Sequence, residues 1–128
     1  MKLKTFNSTN VQHLRSGKPY LHCNSKTGLI TINTQAAEII GIKTDDMIQF
    51  HQSEDEPSEW YVEAVKKDGF LVRQKDDYGF LTNSTRIVQM IFASVEYIGT
   101  GGRLYIGEQV KFGKQNLITL ITAGLINE

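Results

Sequence analysis

The sequence contains a single cysteine, Cys23, and only two prolines among 128 residues. One cysteine cannot form an internal disulfide, which is typical of a chain that folds in a reducing compartment. A structural zinc site requires closely spaced pairs of cysteine or histidine ligands, and a calcium loop requires a glycine at a fixed position within a run of oxygen ligands. The sequence has neither pattern, so we predict no metal site and no cofactor.

Long apolar runs are also missing. No segment approaches the ~20 consecutive apolar residues that span a bilayer, and the first residues, MKLKTFNSTN, lack the hydrophobic region of a secretory signal. We therefore expect no membrane partner and a cytoplasmic location. A chain of 128 residues with 40% hydrophobic content suits one domain, spanning residues 1–128.

Few residues could act as a base or a nucleophile at neutral pH. They are Cys23 and the three histidines, His13, His22 and His51. His22 and Cys23 are adjacent in a predicted strand, so their side chains should point to opposite faces. Nucleophilic chemistry requires a thiol and a histidine within hydrogen-bond reach of each other. The sequence therefore predicts that the protein is not an enzyme, and no catalytic residue is assigned.

The segment Gly28–Phe50, GLITINTQAAEIIGIKTDDMIQF, carries the strongest structural signal. Residues 29–32 are apolar or β-branched and predict a short strand. Thr34 can cap the free N–H groups at the start of a helix, and Gly41 suits the left-handed residue that ends one. We expect a short helix near 34–41, a polar turn, and a second strand from Met47 to Phe50.

This order of strand, capped helix, Gly-Ile-Lys, turn and alternating strand resembles the AbrB/MazE-type swapped-hairpin (SpoVT-AbrB-like) domain of bacterial transcription regulators and antitoxins. The resemblance covers a βαβ unit at residues 26–50. It implies an intertwined homodimer that contacts DNA through an arginine in the first strand and through basic residues around the helix. This chain has Leu29 where that arginine is expected and Asn33 where a proline is typical. The positions that match the family pattern are Gly28, Ile30, Ile32, Gly41, Ile42, Lys43, Asp46, Ile48 and Phe50.

A similar pattern recurs at an offset of 51 residues, where GFLTNSTRIVQMI from Gly79 aligns with GLITINTQAAEII from Gly28. Asn83 or Ser84 could cap a second helix near 84–95. A degenerate second copy from residue 79 would imitate within one chain the two-fold arrangement that the family obtains by dimerising, and a monomer would then be expected. Two ordinary strand-to-helix junctions are the alternative.

Together these patterns predict an α+β, β-rich fold with short strands and hairpins, the two helices, and a swapped-hairpin-like N-terminal half. Further hairpins are expected in the C-terminal third, where the glycines of the segment 99–102 predict a flexible loop. The apolar strand from Leu117 to Thr122 would be central in the sheet or covered by a partner, because an open edge invites association.

The zero net charge conceals an uneven distribution. Residues 1–37 contain five basic residues and no acidic one, whereas residues 38–77 contain eleven acidic and five basic residues. A basic arm interleaved with Phe6, Tyr20 and His22 suits phosphate attraction and base stacking. An ordinary solvated surface is the alternative interpretation. The candidate nucleic-acid-binding residues are Lys2, Lys4, Arg15, Lys18, Lys26 and Lys43.

Two functions from different classes follow. The first is a small prokaryotic DNA-binding, transcription-regulator-like protein that contacts phosphate through its basic N-terminal region. The second is a non-catalytic protein-interaction or assembly module that keeps the AbrB-like fold without binding DNA. DNA is thus the expected partner, with a protein partner as the alternative.

Overall fold

The computed structural model describes residues 18–76 and 79–127. Within these ranges, nine strands account for 48% of the residues and two helices for 16%. The helices are α1 (Thr34–Ile40) and α2 (Thr85–Ser94). The strands are β1 (Tyr20–Asn24), β2 (Leu29–Asn33), β3 (Met47–Gln52), β4 (Trp60–Val65), β5 (Phe70–Leu71), β6 (Arg73–Asp76), β7 (Gly79–Asn83), β8 (Gly101–Phe112) and β9 (Gln115–Ile121).

All of these strands belong to one antiparallel sheet in the order β5-β3-β4-β9-β8-β1-β2-β7-β6. One chain segment links its two ends, because β5 pairs with β3 and the next strand, β6, pairs with β7. Val72 lies between them and is fully buried. Its carbonyl accepts from the Asp45 N–H and its N–H donates to the Asp46 carbonyl, each at 2.8 Å. The sheet is therefore nearly closed and barrel-like.

The expected fold class, α+β with a swapped-hairpin-like N-terminal half, is wrong. Helices do lie at 34–40 and 85–94, close to the expected positions, but they attach to a sheet that runs through both halves of the chain. β2 pairs with β7, and β4 pairs with β9. Residues 26–50 are therefore not a separate unit. Local patterns could not show this, because backbone hydrogen bonding in a sheet joins segments that are far apart in sequence.

The order of the strands has an internal symmetry. The series β1, β2, α1, β3, β4 is followed along the chain by the series β6, β7, α2, β8, β9. If β5 and β6 are counted as one strand, replacing each strand by its counterpart in the other series leaves the set of neighbouring strand pairs unchanged. The β2–β7 pair centres on Thr31 opposite Leu81, so residues 29–33 correspond to residues 79–83. The alignment of Gly28 with Gly79 differs from this register by one residue. The degenerate second copy from residue 79 stays a prediction, with two ordinary strand-to-helix junctions as its alternative.

The helices begin and end through local contacts. Asn33, and not Thr34, caps α1, because its Oδ1 accepts from the Ala36 N–H at 2.9 Å. Gly41 ends α1 in the left-handed conformation at φ +84°. Ser84 caps α2, its Oγ accepting from the Ile87 N–H at 3.2 Å. Neither of these two helices, the ones in the described part of the chain, has the length and apolar character needed to cross a membrane.

The core lies inside the curved sheet and under the two helices. Alternate strand residues point inward, and the indole N–H of the buried Trp60 donates to Ser94 Oγ at 2.9 Å, joining β4 to the end of α2. The buried strand residues include Leu21, Cys23, Ile30, Ile32, Ile48, Val62, Leu104 and Leu120, and the buried helix residues are Ala36, Ala37, Ile40, Val88, Ile91 and Phe92. The same alternation places the other side chains of β1, β2 and β8 on the outer surface.

Candidate nucleic-acid interface

The outer face of β1 and β8 gathers aromatic and cationic side chains. β1 pairs with the first part of β8, so that Tyr20 lies opposite Tyr105 and His22 lies opposite Arg103. The residues between them in each strand are buried, and these four side chains therefore point outward. Four residues that are distant in sequence thus form one surface cluster.

Two cations are held against the aromatic rings of this cluster. The guanidinium carbon of Arg103 lies 4.3 Å from the ring centroid of Tyr20, and Lys18 Nζ lies 5.8 Å from the ring centroid of Tyr105. The two rings meet edge to face, with their centroids 6.3 Å apart. Cation–π contacts orient a cation without neutralising it. Both cationic side chains are exposed, and neither forms an ion pair with a carboxylate of residues 18–76 or 79–127.

The outward positions next to these cations, on β1, β2, β7 and the first part of β8, include no carboxylate. Aligned residues run across five strands from Arg103 through His22, Thr31 and Leu81 to Arg73. The row spans four strand spacings, or ~19 Å along the curved sheet, so its two arginines face different sides of the nearly closed sheet. None of the outward positions on β1, β2, β7 and the first part of β8 is a carboxylate: Tyr20, His22, Asn24, Leu29, Thr31, Asn33, Gly79, Leu81, Asn83, Gly101, Arg103 and Tyr105.

His22 contributes a neutral ring to this face at pH 7. Burial, and secondarily the charge of Arg103, hold the pKa of His22 below its usual value of 6.5. Gly101 leaves the ring uncovered, because a Cβ at residue 101 would lie 3.4 Å from His22 Cε1 and Nε2. The adjacent Cys23 points into the core, where burial raises the pKa of its thiol to about 12. The thiol is therefore protonated and not nucleophilic at neutral pH.

The predicted DNA-contacting residues do not all fall on this face. Lys2, Lys4 and Arg15 lie outside the described residues. Lys18 is part of the cluster, beside Tyr105. Lys26 lies in the turn after β1, at the opposite end of that strand, and Lys43 follows Gly41 beyond α1; both are exposed. Of the three candidate lysines that lie in the described ranges, the structure therefore places Lys18 in the cluster and the other two at separate positions.

Arg103 and Tyr105 were not predicted as site residues from the sequence. They lie far along the chain from Tyr20 and His22, and only the pairing of β1 with β8 brings them together. The available signal was the alternation of Arg103, Leu104 and Tyr105, which indicates a strand with basic and aromatic side chains on one face. It does not indicate which strand is the neighbour.

Other chemistry finds little support in the described ranges. No group of three or more histidine, cysteine, aspartate or glutamate side chains in residues 18–76 and 79–127 is placed to hold a metal ion. Comparisons of the chain with protein-family models, with curated proteins and with solved structures gave no match. The function must therefore be argued from the geometry and charge of this face.

Proposed function

We propose that this chain binds DNA through the outer face of β1 and β8, as a transcription-regulator-like protein. The observation that supports this most is that Tyr20 and Tyr105 position Arg103 and Lys18 where the outward residues of β1 and the first part of β8 include no carboxylate. Cationic side chains that neutralise phosphates release condensed counterions, which provides most of the sequence-independent affinity for DNA. Cations that are already oriented by aromatic rings lose less conformational freedom when they bind.

The composition of the face supports a nucleic acid over a small anion. The neutral ring of His22 lies beside Arg103, and the rings of Tyr20 and Tyr105 lie against the two cations. A small anion would use only the cations, whereas a nucleic acid could also place sugar or base against the uncharged rings.

A salt titration tests this proposal. We would measure the fluorescence polarisation of a labelled random-sequence DNA duplex with increasing protein at about 50 and 200 mM salt. The logarithm of the affinity falls linearly with the logarithm of the salt concentration, and each phosphate contact makes this slope steeper by about 0.9. Arg103→Ser should therefore make the slope shallower by about 0.9 and weaken binding at both salt concentrations.

Lys114→Ser is the matched control. It removes the same charge from the turn between β8 and β9, and Phe112 at the end of β8 lies roughly 30 Å along the strand from Arg103. The control should keep the wild-type slope. Equal effects of the two substitutions would contradict the assignment of the face, and absence of binding at the lower salt concentration would contradict DNA binding itself.

A protein-interaction role is the second candidate, and a different observation favours it. Phe112, at the end of β8, is 70% exposed and belongs to an apolar surface distant from Arg103. Such a surface is typical of a site for a protein partner.

A further inference from the structure

A groove with a cavity of about 520 Å³ lies on the outer face of β3, β4, β9 and the second part of β8. This volume is within the range of ligand-binding clefts. Its apolar lining consists of Tyr61, Val110, Phe112 and Leu117. The groove is separate from the cluster around Arg103, and no residue of that cluster lines it.

The apolar side of the groove is formed by the hairpin of β8 and β9. Val110 lies opposite Leu117, and Phe112 lies opposite Gln115. Leu117 is buried, whereas Val110 is 37% exposed and Phe112 is 70% exposed. An aromatic side chain with this exposure beside a buried leucine leaves apolar surface in contact with water. Covering it would be favourable for a partner that carries aliphatic side chains.

The opposite rim of the groove is acidic. Glu54 and Asp55, in the loop between β3 and β4, line the groove, and no lysine or arginine lines it. Hydrogen bonds fix the loop, because the Ser53 N–H donates to the Glu59 carbonyl at 3.0 Å. The Tyr61 hydroxyl donates to Glu59 Oε2 at 3.2 Å and so orients the ring inside the groove. The negative charge is therefore held next to the apolar surface.

The polar side chains of the groove are also fixed in place. Glu63 Oε1 lies 2.9 Å from His51 Nε2 and accepts from Gln115 Nε2 at 3.3 Å. One carboxylate thus ties together side chains of β3, β4 and β9, and both of its partners line the groove. A surface whose side chains are already held in one arrangement pays little conformational entropy on binding.

We infer that this groove binds a basic peptide segment of a partner protein, with Lys or Arg side chains facing Glu54 and Asp55 and an aliphatic side chain packed on Phe112. Charge complementarity selects this occupant, because the rim would repel an acidic peptide or a nucleic acid. The apolar side of the groove also requires an aliphatic side chain in the ligand, so a peptide that carries only positive charge should bind less tightly. The inference goes beyond DNA binding and uses none of the residues assigned to it.

Three labelled peptides test the inference by fluorescence polarisation with the full chain. In the first, leucine alternates with lysine; in the second, leucine alternates with glutamate; in the third, serine alternates with lysine. The leucine–lysine peptide should bind at least about tenfold more tightly than either of the others, because only it satisfies both the rim and the apolar side. Equal binding of the serine–lysine peptide would overturn the inference by showing that charge alone suffices.

Substitutions locate the binding site. Phe112→Ser should weaken the leucine–lysine peptide about thirtyfold, the loss typical of an aromatic residue at the centre of an interface. The double variant Glu54→Lys with Asp55→Lys should also weaken it. Arg103→Ser, on the DNA face, is the control and should leave peptide affinity unchanged. Thermal unfolding of each variant should match the wild type, since the substituted side chains are exposed.

Two outcomes would assign the groove differently. Peptide affinity that is unchanged in Phe112→Ser would show that the peptide binds elsewhere. Sedimentation that shows a wild-type dimer and a Phe112→Ser monomer would show that a second copy of this chain occupies the groove. Either result would overturn the inference, whereas DNA binding by the Arg103 face would be unaffected.

Discussion

Replacing Gly28 by alanine would test how closely the turn before β2 packs against α2. Gly28 has φ +78°, and a Cβ at this position would lie 2.5 Å from both the backbone N and the Oγ1 of Thr85 and 2.8 Å from its Cα. The Gly28 carbonyl also accepts from the Ser84 N–H at 2.8 Å. The neighbouring atoms belong to the first turn of a helix, so they cannot move aside as the end of a flexible side chain could.

Two costs add in the Gly28→Ala variant. A left-handed conformation costs alanine about 1–2 kcal/mol relative to glycine, and forcing a methyl group against fixed atoms costs about 1–3 kcal/mol. We expect the free energy of unfolding to fall by about 2–5 kcal/mol. Gly41→Ala is the matched control, since Gly41 has φ +84° and no atom lies within 4 Å of its ideal Cβ. This control variant should be destabilised only by the cost of the left-handed conformation, about 1–2 kcal/mol.

Urea unfolding followed by the fluorescence of Trp60 would measure both variants, because this indole is only 2% exposed in the folded state. The urea concentration at the midpoint should fall further for Gly28→Ala than for Gly41→Ala, while the slope of the unfolding free energy against urea stays the same in both. The difference between the two unfolding free energies is the cost of the contact with Thr85. Equal losses in the two variants would refute the close approach of this turn to α2, which lies at the end of the paired strands β2 and β7.

The remaining predictions concern two titrating groups. Burial raises the pKa of Cys23 from 9.0 to about 12, so a thiol reagent near neutral pH should label it only in denaturant, and labelling of the folded protein would contradict its burial. Because the folded pKa is the higher one, stability should be complete below pH 9.0 and decline above it by up to about 1.4 kcal/mol per pH unit. For His22, whose pKa is lowered from 6.5, stability should be complete above pH 6.5 and fall as the pH drops through the lower folded value. A proton NMR titration should give a midpoint below 6.5 that rises in Arg103→Ser; a wild-type midpoint at or above 6.5 would contradict the burial and charge assigned to this ring.

The sequence predicted what is determined locally. α1 was predictable because its capping residue, its apolar face and Gly41 lie within nine consecutive residues. Even so, the capping residue was Asn33 and not Thr34. The Asn33 carboxamide makes two further contacts that the sequence could not show. Its Nδ2 donates to the Lys18 carbonyl at 3.0 Å and its Oδ1 also accepts from the Tyr20 N–H at 3.2 Å, which joins the start of α1 to the start of β1.

The closure of the sheet and the composition of the candidate interface depend on distant residues. Gly101 and Gly102 were predicted to lie in a flexible loop, but they begin β8. The reason is pairing with a distant strand, because Gly101 lies opposite Asn24 and Gly102 lies opposite Cys23 of β1. Likewise, His22 and Tyr20 acquire their cationic neighbour only from the register of β1 with β8. Composition carries no information about which strands become neighbours.

The two proposed sites explain how a chain of zero net charge can bind partners of opposite charge. Only β9 lies between β4 and β8 in the sheet, so the acidic loop that leads into β4 is two strand spacings, or ~10 Å, from β8 and three from β1. At this separation exposed charges are largely screened in physiological salt, so neither site cancels the other. Salt should weaken both interactions, but Arg103→Ser should affect only DNA and Phe112→Ser only the basic peptide. If the two sites are independent, DNA and peptide should bind together with affinities that each ligand leaves unchanged for the other.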